Sequence, residues 1–284
     1  MKPAPFAYRR PETLDQALDS LAGASGAKVL AGGQSLVPLL SMRLASPAML
    51  VDINGLPDLD HVTVTEDGVR VGALARHADV LADEAARASQ PLLAMALAHV
   101  AHATIRNRGT TVGSIVHADA AAEMPVVLAV LGGSVTVASV RGERTIPADE
   151  LFAGPLESTL AADEIATEAF FPALAAGEGV GFAEIARRHG DYALVGVAAI
   201  VRVEGDRRVG ARLGYLSVND VPTVVDVSGS SDDEAVERAL EQLEPADDIH
   251  ATAAYRAHLA RVLTRRVLRA ATRDALDRSG VTKA

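Results

Sequence analysis

The chain has 284 residues, 49% hydrophobic and 23% charged, which predicts two or three compact units at roughly 100–200 residues per domain and excludes wholesale disorder. With 27 Lys+Arg against 37 Asp+Glu the net charge is −10, the wrong sign for a protein that binds a nucleic-acid backbone. Cysteine is absent, which excludes disulfides, thiolate metal sites, iron–sulfur ligation and cysteine nucleophiles on this chain.

The N-terminus, Met1-Lys2-Pro3-Ala4-Pro5-Phe6, lacks the apolar core of a signal peptide. The longest uncharged run, Met124 to Val140, is interrupted by Pro125 and Gly132-Gly133 and is shorter than the ~20 residues of a spanning helix. The expectation is a chain that spans no membrane and works in the cytoplasm.

Residues 1–55 alternate helix and strand. Leu14, Ala17, Leu18 and Leu21 follow helical spacing after Pro11-Glu12-Thr13. Lys28-Val29-Leu30 reads as a buried strand running into Gly32-Gly33, after which Ser35 is placed to cap a helix through Leu36, Leu39, Leu40 and Leu44. Met49 to Ile53 gives another strand, closed by Asn54-Gly55.

Residues 56–176 open with a hairpin, Val62 and Val64 pairing with Val69 and Val71 across Glu66-Asp67-Gly68. Two Ala/Leu-rich helices are predicted near 77–88 and 90–103, then an irregular Gly/Thr/Ser segment from Arg106 to Ser114. An apolar helix near 123–131 and a strand near 134–140 follow, and Ala161-Ala162-Asp163-Glu164 marks a turn before a last strand.

The third segment, residues 177–284, is set off by a linker, Ala175-Ala176-Gly177-Glu178-Gly179. Strands near 193–203 and 208–218 flank Glu204-Gly205-Asp206 and read as an exposed hairpin. A Ser/Gly/Asp stretch then leads to an acidic-capped helix. The closing helix places Tyr255, Leu259, Val262, Leu263, Val267 and Ala271 on one face, with Arg256 among the arginines on the rest. The pattern is α+β, without internal repeats.

Several familiar sites are missing: there is no P-loop, no complete dinucleotide fingerprint at Gly177-Glu178-Gly179-Val180-Gly181, and no Gly-x-Ser-x-Gly elbow. His99 and His102 are spaced to face one ion, but no third ligand is near in sequence, so no metal site is expected. Two Gly-rich segments remain. In Leu30-Ala31-Gly32-Gly33-Gln34-Ser35-Leu36, paired glycines at a strand-to-helix turn let backbone N–H groups converge on an anion without any lysine or arginine. An ordinary turn gives the same pattern. The second, Ala103 to Ser114, offers small hydroxyl-bearing residues between Arg106-Asn107-Arg108 and Gly113. Two such loops suit a long dinucleotide lying between two subdomains better than a single phosphate.

Taken together, the chain resembles the FAD-binding medium subunit of the molybdenum hydroxylases, the carbon-monoxide-dehydrogenase and xanthine-dehydrogenase family. The resemblance spans nearly the whole chain. It rests on Phe6 to Leu18, Ala31 to Leu36, Ile105-Arg106-Asn107-Arg108-Gly109-Thr110, Ala118-Asp119, Arg187-Arg188-His189-Gly190-Asp191-Tyr192-Ala193, and Tyr255-Arg256 through Arg266.

The resemblance implies a two-subdomain FAD-binding domain of the vanillyl-alcohol-oxidase (PCMH) type, residues 1–55 and 56–176. A C-terminal α+β domain of the CO-dehydrogenase flavoprotein type, residues 177–284, follows. It implies that Val29, Leu30, Ala31, Gly32, Gly33, Gln34, Ser35 and Leu36, with Thr110, Thr111, Gly113 and Ser114, hold the pyrophosphate of a non-covalent FAD. His117 follows in the same stretch, Glu123 stands near the cofactor's hydroxyls, Ile105 and Ile165 line the site, and Tyr192 lies beside the isoalloxazine. Two departures stand out: Val112 replaces a family glycine and Ala120 a frequent proline.

The implied partners are a small subunit carrying two [2Fe-2S] clusters and a large molybdopterin subunit, in a dimer of heterotrimers. This chain would pass electrons from the clusters through FAD to an external acceptor, with no acid–base catalyst of its own. Two other readings stand beside it: a self-contained flavin oxidase acting on a small molecule, and a flavin-free interaction subunit that keeps only the fold. The first needs a base and a substrate pocket beside the flavin, and no convergent cluster is visible in the sequence.

Overall fold

The computed structural model describes residues 2–280; Met1 and positions 281–284, at the ends of the first and third predicted segments, lie outside the described residues. The chain opens with strand β1 (Ala7–Arg9), helix α1 (Leu14–Ala22), strand β2 (Ala27–Leu30), helix α2 (Leu36–Met42) and strand β3 (Met49–Asp52). The strands form a parallel sheet in the order β1-β3-β2. Helix α1 buries Ala17, Leu18 and Leu21, and Thr13 caps it by accepting from the Gln16 N–H. Ser35 does not cap α2: its backbone is already helical and its side chain makes no capping bond. The helix also stops before the predicted Leu44, because Arg43 takes the left-handed conformation (φ 59).

Next come strands β4 (Val62–Thr65) and β5 (Gly68–Gly72), then helices α3 (His77–Ala82), α4 (Glu84–Ser89), α5 (Pro91–Leu97), α6 (Ala103–Arg106), α7 (Thr111–His117) and α8 (Glu123–Leu131). Strands β6 (Ser134–Ser139) and β7 (Gly142–Pro147), helix α9 (Ala148–Leu151), and strands β8 (Phe152–Gly154), β9 (Glu157–Ser158) and β10 (Ile165–Pro172) follow. The hairpin register is the predicted one, Val62 opposite Val71 and Val64 opposite Val69. Five strands make an antiparallel sheet in the order β4-β5-β10-β6-β7. The first predicted helix is broken at Asp83, which leaves helical backbone and caps α4 through the Ala86 N–H. The second begins as predicted, with Gln90 capping it ahead of Pro91, but ends at Leu97, and Ala101 turns left-handed (φ 44) before α6. Conversely, the segment predicted to be irregular carries α7, whose N-cap Thr110 accepts from the Gly113 N–H.

Strands β11 (Glu178–Ala186), β12 (Ala193–Glu204), β13 (Arg207–Leu216) and β14 (Thr223–Asp226) form an antiparallel meander, followed by α10 (Asp232–Leu240) and α11 (Ala253–Arg278). The predicted linker is already strand from Glu178. The predicted exposed hairpin is interior, since β12 lies between β11 and β13 and is buried along most of its length. Helix α11 lies so close to β11 that a Cβ on Gly179 would sit 2.1 Å from the Ala275 nitrogen.

The buried face of α11 is rotated from the predicted one. Leu259, Leu263, Val267 and Ala271 are buried, but Tyr255 and Val262 are exposed and Arg256 is buried. Its Nη1 donates to the Leu194 and Ser217 carbonyls at 2.6 and 2.9 Å, which satisfies most of a charged group that has left water.

Apart from Glu123 in its first turn, helix α8 is apolar all round, and it is almost wholly buried, the mark of a helix with protein on every side. One side joins the core under the five-stranded sheet, with Leu92, Leu93, Leu97 and Phe171. The other carries Val126 against Ala193 and Leu216 of the C-terminal sheet. Among the described residues no helix is long and apolar enough to cross a membrane.

Candidate cofactor-binding site

Strand β2 ends at Leu30 and the chain turns through residues 31–35 into α2. Gly33 has φ +71, a backbone state in which a side chain is strained. The carbonyls of this turn are engaged: Ala31 accepts from Asn54 Nδ2 at 2.8 Å, Gly32 from Gln34 Nε2 at 3.1 Å and Gly33 from the Val37 N–H at 3.0 Å. The backbone N–H groups of residues 32–36, by contrast, meet no acceptor among the described residues. Residues 29–36 are all half-buried. A row of unsatisfied donors entering a helix carries net positive potential and favours an anion.

The second loop meets the first at Gly32. A Cβ there would lie 2.4 Å from the Arg108 carbonyl oxygen and 2.8 Å from Gly109 Cα. The loop is fixed from behind: the His77 N–H donates to the Gly109 carbonyl at 3.0 Å, and His77 Nδ1 bonds the Thr111 hydroxyl at 3.1 Å. Burial, reinforced by Arg106, lowers the His77 pKa to about 4, so the ring is neutral at pH 7. Thr110 and Thr111 are buried, and their hydroxyls bond the Gly113 N–H and His77. Thr110 accepts from Gly113 and so shapes the loop, while its own O–H remains a donor. Ser114 is half-buried. Val112 has helical backbone and packs inside, so the departure from a family glycine is absorbed without strain.

Around these loops stand most of the remaining predicted residues. Tyr192 is 58% exposed, yet its hydroxyl is pushed up by lost hydration and by Asp119, with the Ser35 hydroxyl acting in opposition. Its phenol is therefore near Ser35 of the first loop and Asp119 beyond the end of α7. His117, half-buried at the end of α7, is pushed down by burial; Asp119 opposes this and Lys28 of β2 adds to it. Glu123, in the first turn of α8 and 7% exposed, is raised to about 8 by burial and by the Glu184 carboxylate. Glu184 in turn faces His99 Nδ1 at 3.3 Å. Ile105 is half-buried, and its carbonyl accepts from the Gly109 N–H at 2.7 Å. Ile165 is not brought to this surface: its side chain is 1% exposed and packed with Ile53 and Ala138. Among the described residues no group of three or more His, Asp or Glu could hold a metal ion.

Sequence reasoning missed the residues that hold the two loops together. Arg76, just before α3, donates from Nη1 to the Arg108 carbonyl at 2.7 Å and from Nη2 to Asn54 Oδ1 at 2.8 Å. Asn54 Nδ2 also donates to Asp52 Oδ1 at 2.6 Å, and the Tyr8 hydroxyl donates to Asp52 Oδ2. Burial pushes the Asp52 carboxyl up, but the bonds from Tyr8 and Asn54 outweigh it and leave it below its ordinary value. Asn54-Gly55 carried only a turn signal. Arg76 carried none, because its partners lie 32 and 22 residues away.

The donors fit the phosphate portion of a dinucleotide: a run of free N–H groups, and a glycine where any side chain would close the gap between the loops. The comparisons agree. Residues 4–174 match the FAD binding domain in molybdopterin dehydrogenase, and residues 181–271 the CO dehydrogenase flavoprotein C-terminal domain. The nicotine 6-hydroxylase medium subunit of Paenarthrobacter nicotinovorans is 40% identical over 94% of this chain and 98% of its own. The carbon monoxide dehydrogenase medium chain of Hydrogenophaga pseudoflava is 32% identical over 95% and 98%. A chain in the crystal structure of quinoline 2-oxidoreductase from Pseudomonas putida superposes with a TM-score of 0.91 at 37% identity, covering 97% of this chain and 100% of that one. With both family models matched in order along it, the chain belongs to the FAD-binding medium subunits of the molybdenum hydroxylases, the oxidoreductase family of carbon monoxide dehydrogenase and xanthine dehydrogenase.

Proposed function

We propose that this chain holds FAD non-covalently and links two electron carriers. Electrons would reach it from [2Fe-2S] clusters on a small partner subunit, after a large molybdopterin subunit has oxidised the organic substrate, and would leave to an external acceptor. The assembly we infer is a dimer of heterotrimers. FAD supplies the redox chemistry, and the protein sets its place and electrostatic surroundings.

In this reading residues 1–55 and 56–176 are the two halves of the flavin domain, and residues 177–284 form the C-terminal domain. The N–H groups of residues 32–36 take the pyrophosphate. Thr110, Thr111, Gly113 and Ser114 shape the opposing wall, His117 and Glu123 stand toward the hydroxyl-bearing part, and Ile105 and Tyr192 face the ring. Ile165 supports the wall from the core. The observation that carries the reading is the run of N–H groups at 32–36 without a protein acceptor, in a turn whose carbonyls are otherwise engaged. Amides shielded by protein are rarely left unpaired unless water or a ligand satisfies them, and five in a row at one turn suit the oxygens of a pyrophosphate.

The test is the visible spectrum of the purified chain, followed by acid precipitation. Flavin bands that move to the supernatant, with FAD identified by chromatography, are the expected result. A colourless protein that does not take up added FAD removes the reading.

A further inference from the structure

We infer that Asn54 and Arg76 are positioning residues for the pyrophosphate: they touch no ligand themselves, but they set the direction of the N–H groups that do. The inference rests on the proposed FAD site and names two residues that the resemblance does not assign to it.

In a trans peptide the C=O of one residue and the N–H of the next point in opposite directions and turn as one rigid unit. Whatever grips the carbonyl therefore aims the amide. Asn54 Nδ2 grips the Ala31 carbonyl at 2.8 Å, which sends the Gly32 N–H to the opposite side, where no protein acceptor waits. The next planes are held in the same way through the Gly32 and Gly33 carbonyls. Of these three, only the Ala31 plane depends on a residue outside both the turn and the helix it opens. It is also the plane at the glycine where the two loops meet.

Arg76 completes the arrangement. Its guanidinium bonds both Asn54 Oδ1 and the Arg108 carbonyl. Arg108 O is the atom nearest to where a Cβ on Gly32 would stand, so without Arg76 an uncovered carbonyl dipole would face the gap and repel an anion. With it, that oxygen is engaged and a half-buried positive charge stands behind the loops. Asn54 is itself oriented by Asp52, whose two oxygens accept from Asn54 and from Tyr8. Donation to Asp52 and Ala31 obliges the Asn54 amide nitrogen to face them and leaves its oxygen for Arg76.

The test uses the full-length chain, stripped of flavin, and measures FAD affinity by quenching of flavin fluorescence together with the thermal midpoint of the apo-protein. Asn54→Asp keeps the size of the side chain and the bond from Arg76 but cannot donate to Ala31. Arg76→Met removes both guanidinium bonds, and Arg76→Lys restores a charge with one of them. A single misdirected donor weakens FAD binding by about tenfold. The expected order of affinity is wild type, Arg76→Lys, then Arg76→Met and Asn54→Asp, with the apo midpoint moving little for the Arg76 pair; Asn54→Asp also sets a second carboxylate against Asp52, so for it the affinity alone is compared. An ordinary structural role predicts the reverse, a lowered apo midpoint with unchanged affinity, and that result overturns the inference. So does Asn54→Asp binding FAD within about twofold of wild type. If Asn54→Asp does not fold, the half-buried Arg76 pair carries the comparison. Wild-type protein that fails to bind FAD instead overturns the proposed function, an outcome distinct from both.

Discussion

A carboxyl buried as deeply as Glu123, with Glu184 nearby, holds its proton up to about pH 8. Its pKa is thus higher in the folded chain than in the unfolded one. Between the ordinary carboxyl value of 4.5 and about 8 the native state binds more protons, so this group's contribution to stability falls as pH rises through that window, by up to about 1.4 kcal/mol per pH unit. Glu123→Gln carries no titrating proton. Its stability relative to wild type is expected to grow steadily from pH 5 to pH 8, read from urea unfolding at each pH; a constant difference would contradict the burial argument. None of this was legible in the sequence. Glu123 was singled out through resemblance, but its neighbour Glu184 lies on a strand 61 residues away, and burial by other elements is what moves the pKa.

At the scale of elements, local rules served well where neighbours in sequence are neighbours in space. The Val62–Thr65 hairpin and helix α1 follow from alternation, turn residues and capping alone. They misled where a helix meets a distant partner. The face of α11 is rotated because Arg256 turns inward to the Leu194 and Ser217 carbonyls, and because the helix backbone settles onto Gly179 and Gly181 of β11. At Gly179 a side chain would run into the backbone of Ala271 and Ala275, 2.5 and 2.1 Å away. Gly179→Val is therefore expected to destabilise the chain by about 3 kcal/mol through displacement of α11. Chemical denaturation checks it; an unchanged midpoint would show that the helix slides at little cost.

At the scale of the whole molecule, the candidate site exists only where two parts of the chain meet. The first loop belongs to the parallel sheet, the second to the helices beside the antiparallel one, and Gly32 lets them touch. Gly32→Ala places a methyl group against backbone on the opposing loop, which cannot swing away as a side chain would. The expectation is loss of most flavin after gel filtration, with a stability cost of about 1–3 kcal/mol. Full retention of flavin would place the cofactor elsewhere.

By itself the sequence determined the class of the chain, most of its strands and helices, the two glycine loops and the family they resemble, because composition, periodicity and turn chemistry are local properties. Tertiary structure alone decided that the Thr110 and Thr111 hydroxyls bond Gly113 and His77, that Ile165 belongs to the core, and that Asn54 and Arg76 join the loops. Each of these depends on which distant groups compete for one hydrogen bond or one buried volume, and that competition is settled only when the chain has folded.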